Sequence, residues 1–155
     1  MSIKEIYAKV GLQIQVGDSN CGPTSLLNVL RLKGDGRFDE DELAERCGTK
    51  AGTGTENEDM VRVAGDIGLE IAETKYDAGL GDLRRHLDGG CHVLINYTPT
   101  AHSNGHYSVA VEYDEKAVYI WDCFYGLLRL DNEAFEKCWH SGQKTTFRWL
   151  MAVKA

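Results

Sequence analysis

The stretch Gly105-His106-Tyr107-Ser108-Val109-Ala110-Val111-Glu112-Tyr113, the turn Asp114-Glu115-Lys116, and then Ala117-Val118-Tyr119-Ile120-Trp121-Asp122 decides the fold. Two apolar, β-branched and aromatic runs separated by three polar residues read as an antiparallel hairpin. The first strand begins beside His106 and the second ends on Asp122, so the pairing brings these two side chains next to each other. Upstream, His92-Val93-Leu94-Ile95-Asn96-Tyr97 is a continuous apolar run, suited to a central strand covered on both faces. Downstream, a strand is expected over Leu127 to Leu130, a helix over Asn132 to Trp139 and a last strand near Thr146 to Val153.

The N-terminal half reads as helices. After a short extended lead-in over Val10 to Val16, Cys21 to Lys33 carries Leu26, Leu27, Val29, Leu30 and Leu32, apolar over most of its circumference, and is expected to be largely buried. Pro23 falls in its first turn, where a missing N–H does no harm, and Gly34-Asp35-Gly36 ends it. A second helix covers Asp39 to Arg46, stopping near Gly48. Thr55-Glu56-Asn57-Glu58 reads as a capping box opening a third helix that runs to Ile67. A short strand at Leu69 to Glu73 and a helix at Leu80 to Leu87 follow, and Gly89-Gly90 reads as the turn that ends this helix. Helices first and antiparallel strands second make an α+β fold, and no linker, repeat or low-complexity tract divides residues 1–155 into more than a single domain.

The chemistry is concentrated in Gln15-Val16-Gly17-Asp18-Ser19-Asn20-Cys21-Gly22-Pro23-Thr24. Cys21 stands at the start of a helix, where the partial positive charge of the helix terminus favours a thiolate. Gln15 lies six residues upstream, with a side-chain amide able to donate to an oxyanion beside the Cys21 N–H. Taken singly, these residues have plain readings as a packed cysteine, an edge histidine, an aspartate ending a strand and a surface glutamine. Together, Cys21, His106 and Asp122 follow the order nucleophile, base and orienter of cysteine hydrolases. His92 falls inside an apolar strand, and His102 in the polar loop Thr98–Asn104, so neither displaces His106. Gln13 is the rival to Gln15. Alternation along the Trp121-Asp122 strand points Cys123 to the opposite face from Asp122.

The run Gln-x5-Cys-Gly, the Gly-His-Tyr-Ser-Val-Ala-Val strand and the aspartate sixteen residues beyond the histidine resemble the C39 peptidases, papain-like cysteine peptidases that process bacteriocin precursors. The resemblance covers nearly the whole chain. It implies a papain-like fold with N-terminal helices packed on a C-terminal antiparallel sheet. It also implies Cys21 as nucleophile, His106 as general base and acid, Asp122 as the group orienting the imidazole, and Gln15 as oxyanion donor. The implied reaction is hydrolysis of a peptide bond through a thioester, after small residues of the Gly-Gly type in a leader or tail peptide, with no metal or organic cofactor. Proline often follows the aspartate in this family, and Cys123 replaces it here. The resemblance implies a peptide or protein as partner, and a separately encoded ABC transporter, since the family is best known from the N-termini of such transporters. Two alternatives stay open on the sequence: an acyltransferase or transglutaminase-like enzyme using the same three residues, and a catalytically idle papain-like domain that binds peptide.

Composition narrows the classes further. A formal net charge of −7 argues against a nucleic-acid partner. No apolar run approaches the roughly 20 residues of a membrane span, and Met1 to Ile6 carry no signal-peptide core, so a cytoplasmic protein is expected. Five cysteines (Cys21, Cys47, Cys91, Cys123, Cys138) without a Cys-x-x-Cys pair fit neither a disulfide framework nor a structural zinc site.

Overall fold

A computed structural model describes residues 19–52, 54–99, 105–141 and 147–155. The lead-in expected over Val10 to Val16, together with Gln13, Gln15 and His102, lies outside the described residues. Helix α1 (Cys21–Leu32) is buried from Cys21 through Leu30, as its all-round apolar run requires. It ends where Gly34 takes φ 78°. Asp35 N–H then bonds Leu30 O at 2.8 Å and Gly34 N–H bonds Arg31 O at 3.0 Å, which satisfies the last carbonyls. Helix α2 (Glu40–Cys47) starts because the Asp39 carboxylate accepts from Glu42 N–H, and stops at left-handed Gly48.

Helix α3 (Asn57–Asp66) departs from the expected capping box. Its N-cap is Glu56, with no side-chain cap. The Thr55 hydroxyl instead pairs with that of Thr49 at 2.6 Å, closing the intervening loop. Strand β1 (Ile71–Lys75) begins two residues later than expected. The cause lies in the end of α3: Leu69 N–H is engaged by Ala64 O at 3.0 Å around left-handed Gly68, so Leu69 belongs to the helix terminus. Helix α4 (Leu80–Asp88) follows, ended by Gly89 and Gly90.

Strands β2 (His92–Tyr97), β3 (His106–Tyr113), β4 (Ala117–Asp122) and β5 (Gly126–Asp131) form a continuous antiparallel meander. Helix α5 (Asn132–Cys138) is capped by Asp131. The last strand, β6 (Leu150–Val153), is shorter than expected. Arg148 at φ 47° breaks the extended run just before it.

The sheet order is β1-β6-β2-β3-β4-β5, every pair antiparallel. The C-terminal strand therefore inserts between β1 and β2 and makes β2 central. Helices α1 to α3 cover one face, where Leu26, Leu30 and Val63 pack with Leu94, Val109 and Met151. Helices α4 and α5 cover the other, where Leu83, Phe135 and Trp139 pack with Val93, Ile95 and Ile120. Each such side chain, fully removed from water, contributes roughly 1.5–3 kcal/mol. Helix α1 packs against β3.

Candidate active site

Cys21 opens α1 and is 8% exposed, in a first turn that contains no acidic residue. Two neighbours fix that turn. The Glu40 carboxylate accepts from Asn20 Nδ2 at 3.1 Å and from the Thr24 hydroxyl at 2.5 Å, tying α2 to the start of α1. Gly22 faces Met60 and Thr55 so closely that a Cβ there would lie 2.9 Å from Met60 Sδ and 3.1 Å from Thr55 Oγ1. The glycine after the cysteine is thus a packing requirement.

His106 and Asp122 meet as the hairpin predicts. Register pairs Ser108 with Asp122 and Tyr97 with His106, so these four side chains share the α4–α5 face of the sheet at its end. His106 Nε2 lies 3.0 Å from Asp122 Oδ1. Asp122 Oδ1 also accepts Phe124 N–H at 2.7 Å and Tyr125 N–H at 3.0 Å. Its Oδ2 accepts the Tyr97 hydroxyl and, at 3.0 Å, the Ser108 hydroxyl. Five donors converge on one fully buried carboxylate. Burial alone would raise its pKa, but the bond from His106, then those from Tyr97 and Phe124 N–H, hold it down at about 2. Asp122 is therefore an anion at neutral pH.

Burial opposes a charge on His106 as well. The hydrogen bonds to Asp122, Cys123 and Cys21 overcome it and raise His106 well above the usual histidine range. With Nε2 committed to Asp122, Nδ1 is the ring nitrogen left for the Cys21 thiol. The structure thus brings Cys21, His106 and Asp122 together, each anchored by a different element.

Cys123 joins them. Strand β4 ends at Asp122, and Cys123 to Tyr125 form the turn into β5. The Cys123 side chain turns toward the α1 face and packs in the same core as Cys21. Its Sγ lies 3.7 Å from Cys21 O, 3.7 Å from Tyr107 O and 3.8 Å from His106 Nε2. The face is the one expected from alternation, and on it Cys123 reaches His106 at the start of β3.

Tyr97 and Ser108, which hold Asp122, were missed by sequence reasoning. Ser108 was legible: it stands two residues after His106, on the same face. Tyr97 needed the β2–β3 register. Ligand atoms of His106, Asp122 and Cys123 lie within 4.8 Å of one another, close enough to surround a metal ion. However, the roughly four lone-pair positions of the Asp122 carboxylate are already spent on its five donors, so this group is organised for hydrogen bonding.

Helices packed on an antiparallel sheet, a cysteine at a helix start and a histidine–aspartate pair on adjacent strands define the papain-like class of cysteine peptidase folds. More narrowly, the chain belongs to the Peptidase_C39 like family, which matches residues 7–147. An uncharacterized protein of Methanothermobacter marburgensis is 28% identical over 141 residues, 88% of this chain and 90% of the relative. Among solved structures, the double glycine motif protease from an AMS/PCAT transporter, in complex with a leader peptide, superposes with TM-score 0.65 at 19% identity, covering 96% of this chain and 94% of that one. The peptidase domain of Streptococcus ComA, a bi-functional ABC transporter, gives TM-score 0.70 at 18% identity, covering 93% and 98%. At these identities the superpositions establish the fold. Among the described residues no helix is long and apolar enough to cross a membrane.

Proposed function

We propose that this chain is a cysteine peptidase that hydrolyses the bond after a Gly-Gly type sequence in a leader or tail peptide. The observation that carries the reading is His106, held at 3.0 Å by a buried Asp122 and in hydrogen-bonding contact with Cys21 at the start of α1. His106 takes the proton from Cys21 Sγ, and the sulfur attacks the scissile carbonyl carbon. The oxyanion is held by the Cys21 N–H, which as a first-turn donor has no intrahelical partner, and by the side-chain amide of Gln15. His106 then returns its proton to the leaving amine, and water hydrolyses the thioester. Asp122 keeps the imidazole oriented and favours its cationic form throughout.

The substrate class rests on the relatives: the AMS/PCAT enzyme is a double glycine motif protease described with a leader peptide. The same likeness supports an ABC transporter as the partner that receives the product. Five free cysteines support work in a reducing cytoplasm. The test is incubation with synthetic peptides bearing Gly-Gly ahead of varied sequences, followed by mass analysis of the products. Cleavage after Gly-Gly is expected from the wild type and none from Cys21→Ala. Peptides left intact, or cut equally by Cys21→Ala, would sink the reading.

A further inference from the structure

We propose that Cys123 is the resolving thiol of a redox latch, in which a peroxide oxidises Cys21 and the product is a reversible Cys21–Cys123 disulfide that closes the site. The inference builds on the reading of Cys21 as nucleophile. A buried cysteine usually serves as a small apolar residue, and Cys47, wholly enclosed in the α1–α3 core, fits that role. Cys123 differs in its surroundings. Its Sγ touches the carbonyl oxygen of Cys21 itself, at 3.7 Å, and the same histidine that Cys21 addresses, at 3.8 Å. Two thiols thus converge on one imidazole from residues 102 positions apart in the chain.

The chemistry balances. The Cys21 thiolate attacks one peroxide oxygen; the O–O bond breaks, sulfur is oxidised to a sulfenic acid and hydroxide leaves. Cys123 Sγ then attacks the Cys21 sulfur; the S–S bond forms and the S–O bond breaks. The displaced hydroxyl leaves as water with the proton of the Cys123 thiol, which His106 is positioned to relay. At rest Cys123 is a poor nucleophile toward peroxide, and it becomes competent for the second step only by passing its proton to the departing hydroxyl through His106, 3.8 Å away. Burial pushes its thiol up to about 11 against the pull of His106, so at neutral pH it keeps its proton and does not compete with Cys21. The alternative thiols lie elsewhere: Cys91 and Cys138 pack on the α4–α5 face, against the core opposite the one that holds Cys21 and Cys123, and Cys47 is wholly enclosed at the end of α2. A site that admits a peptide carbonyl to Cys21, as the proposed function requires, also admits the smaller peroxide. The disulfide shields the nucleophile from irreversible oxidation, and a cytoplasmic thiol reductant restores it.

The test treats the reduced protein with hydrogen peroxide, blocks remaining thiols and maps linkages by mass spectrometry without reduction. The expected result is loss of two hydrogens, a Cys21–Cys123 linked peptide pair, and a fall in peptide cleavage of about tenfold or more that dithiothreitol reverses. In Cys123→Ala, normalised to its own reduced state, Cys21 should instead gain two oxygens and recover no activity with dithiothreitol. A wild type that gains oxygens at Cys21, or that links Cys21 to another cysteine, overturns the proposal. The linkage is read by mass alone, so it stands or falls separately from cleavage: a reduced enzyme that cuts no peptide defeats the function proposed above, whatever its oxidation does.

Discussion

Replacing Asp122 by asparagine isolates the charge of the buried carboxylate from its shape. The asparagine oxygen can keep the Phe124 and Tyr125 N–H donors and His106 Nε2, while its amide turns to Tyr97 and Ser108, whose hydroxyls can rotate to accept. The fold should therefore survive with the charge gone. The folded protein holds Asp122 at about 2 against an ordinary 3.8. By linkage that difference is worth about 2 kcal/mol. The sign follows from the depressed value: the stability is fully present above pH 3.8 and is lost as pH falls through about 2. Urea unfolding of both proteins should thus show Asp122→Asn less stable by about 2 kcal/mol at pH 7, with the gap narrowing below pH 4 and nearly closed at pH 2. His106 gives an independent readout. Its raised pKa, followed by NMR titration, should fall toward the ordinary histidine range, and kcat/KM for a cleaved peptide should drop about a hundredfold or more. A stability gap constant from pH 7 to pH 2, or an unmoved His106 titration, would refute the assignment of the Asp122 charge as the source of both effects.

Three further substitutions test the scaffold around the site. Gly22→Ala sets a Cβ 2.9 Å from the Sδ of fully buried Met60, and should cost about 1–3 kcal/mol in chemical denaturation while slowing alkylation of Cys21. Tyr97→Phe removes one donor from Asp122 Oδ2 and leaves Ser108 on the same oxygen, so thermal unfolding should show a loss of about 1–3 kcal/mol with the near-UV circular dichroism preserved. Gly105→Ala brings a Cβ to 2.5 Å from Asn96 Oδ1 and 3.0 Å from Ser141 Cα, just before His106. Backbone must shift, and peptide cleavage should fall more steeply than the Cys47→Ser variant's, measured side by side.

Periodicity and punctuation in the chain carried most of the local structure. The all-round apolar run after Cys21 is a buried helix, the continuous apolar run at 92–97 is a central strand, and the glycines at 34 and 48 end helices in the left-handed conformation. These features were legible because each depends on contacts within a few residues. The hairpin from His106 to Asp122 was legible as two strands joined by a short turn, but the register shift between Ala110 and Glu112, which sets Asp122 opposite Ser108 rather than Val109 and so on the face of His106, was not. Gln15 lies outside the described residues and stays with the proposal. What the sequence did not reveal depends on residues far apart meeting in space. Strand β6, last in the chain, enters the sheet between β1 and β2. Tyr97 reaches Asp122 only because β2 and β3 pair in one particular register. Cys123 takes the face that alternation predicts, but it comes to His106 and to the backbone of Cys21 only because α1 packs on that face of the sheet. Local periodicity is written residue by residue, whereas these approaches are settled by how α1 and the sheet pack against each other, which no single stretch of the chain encodes.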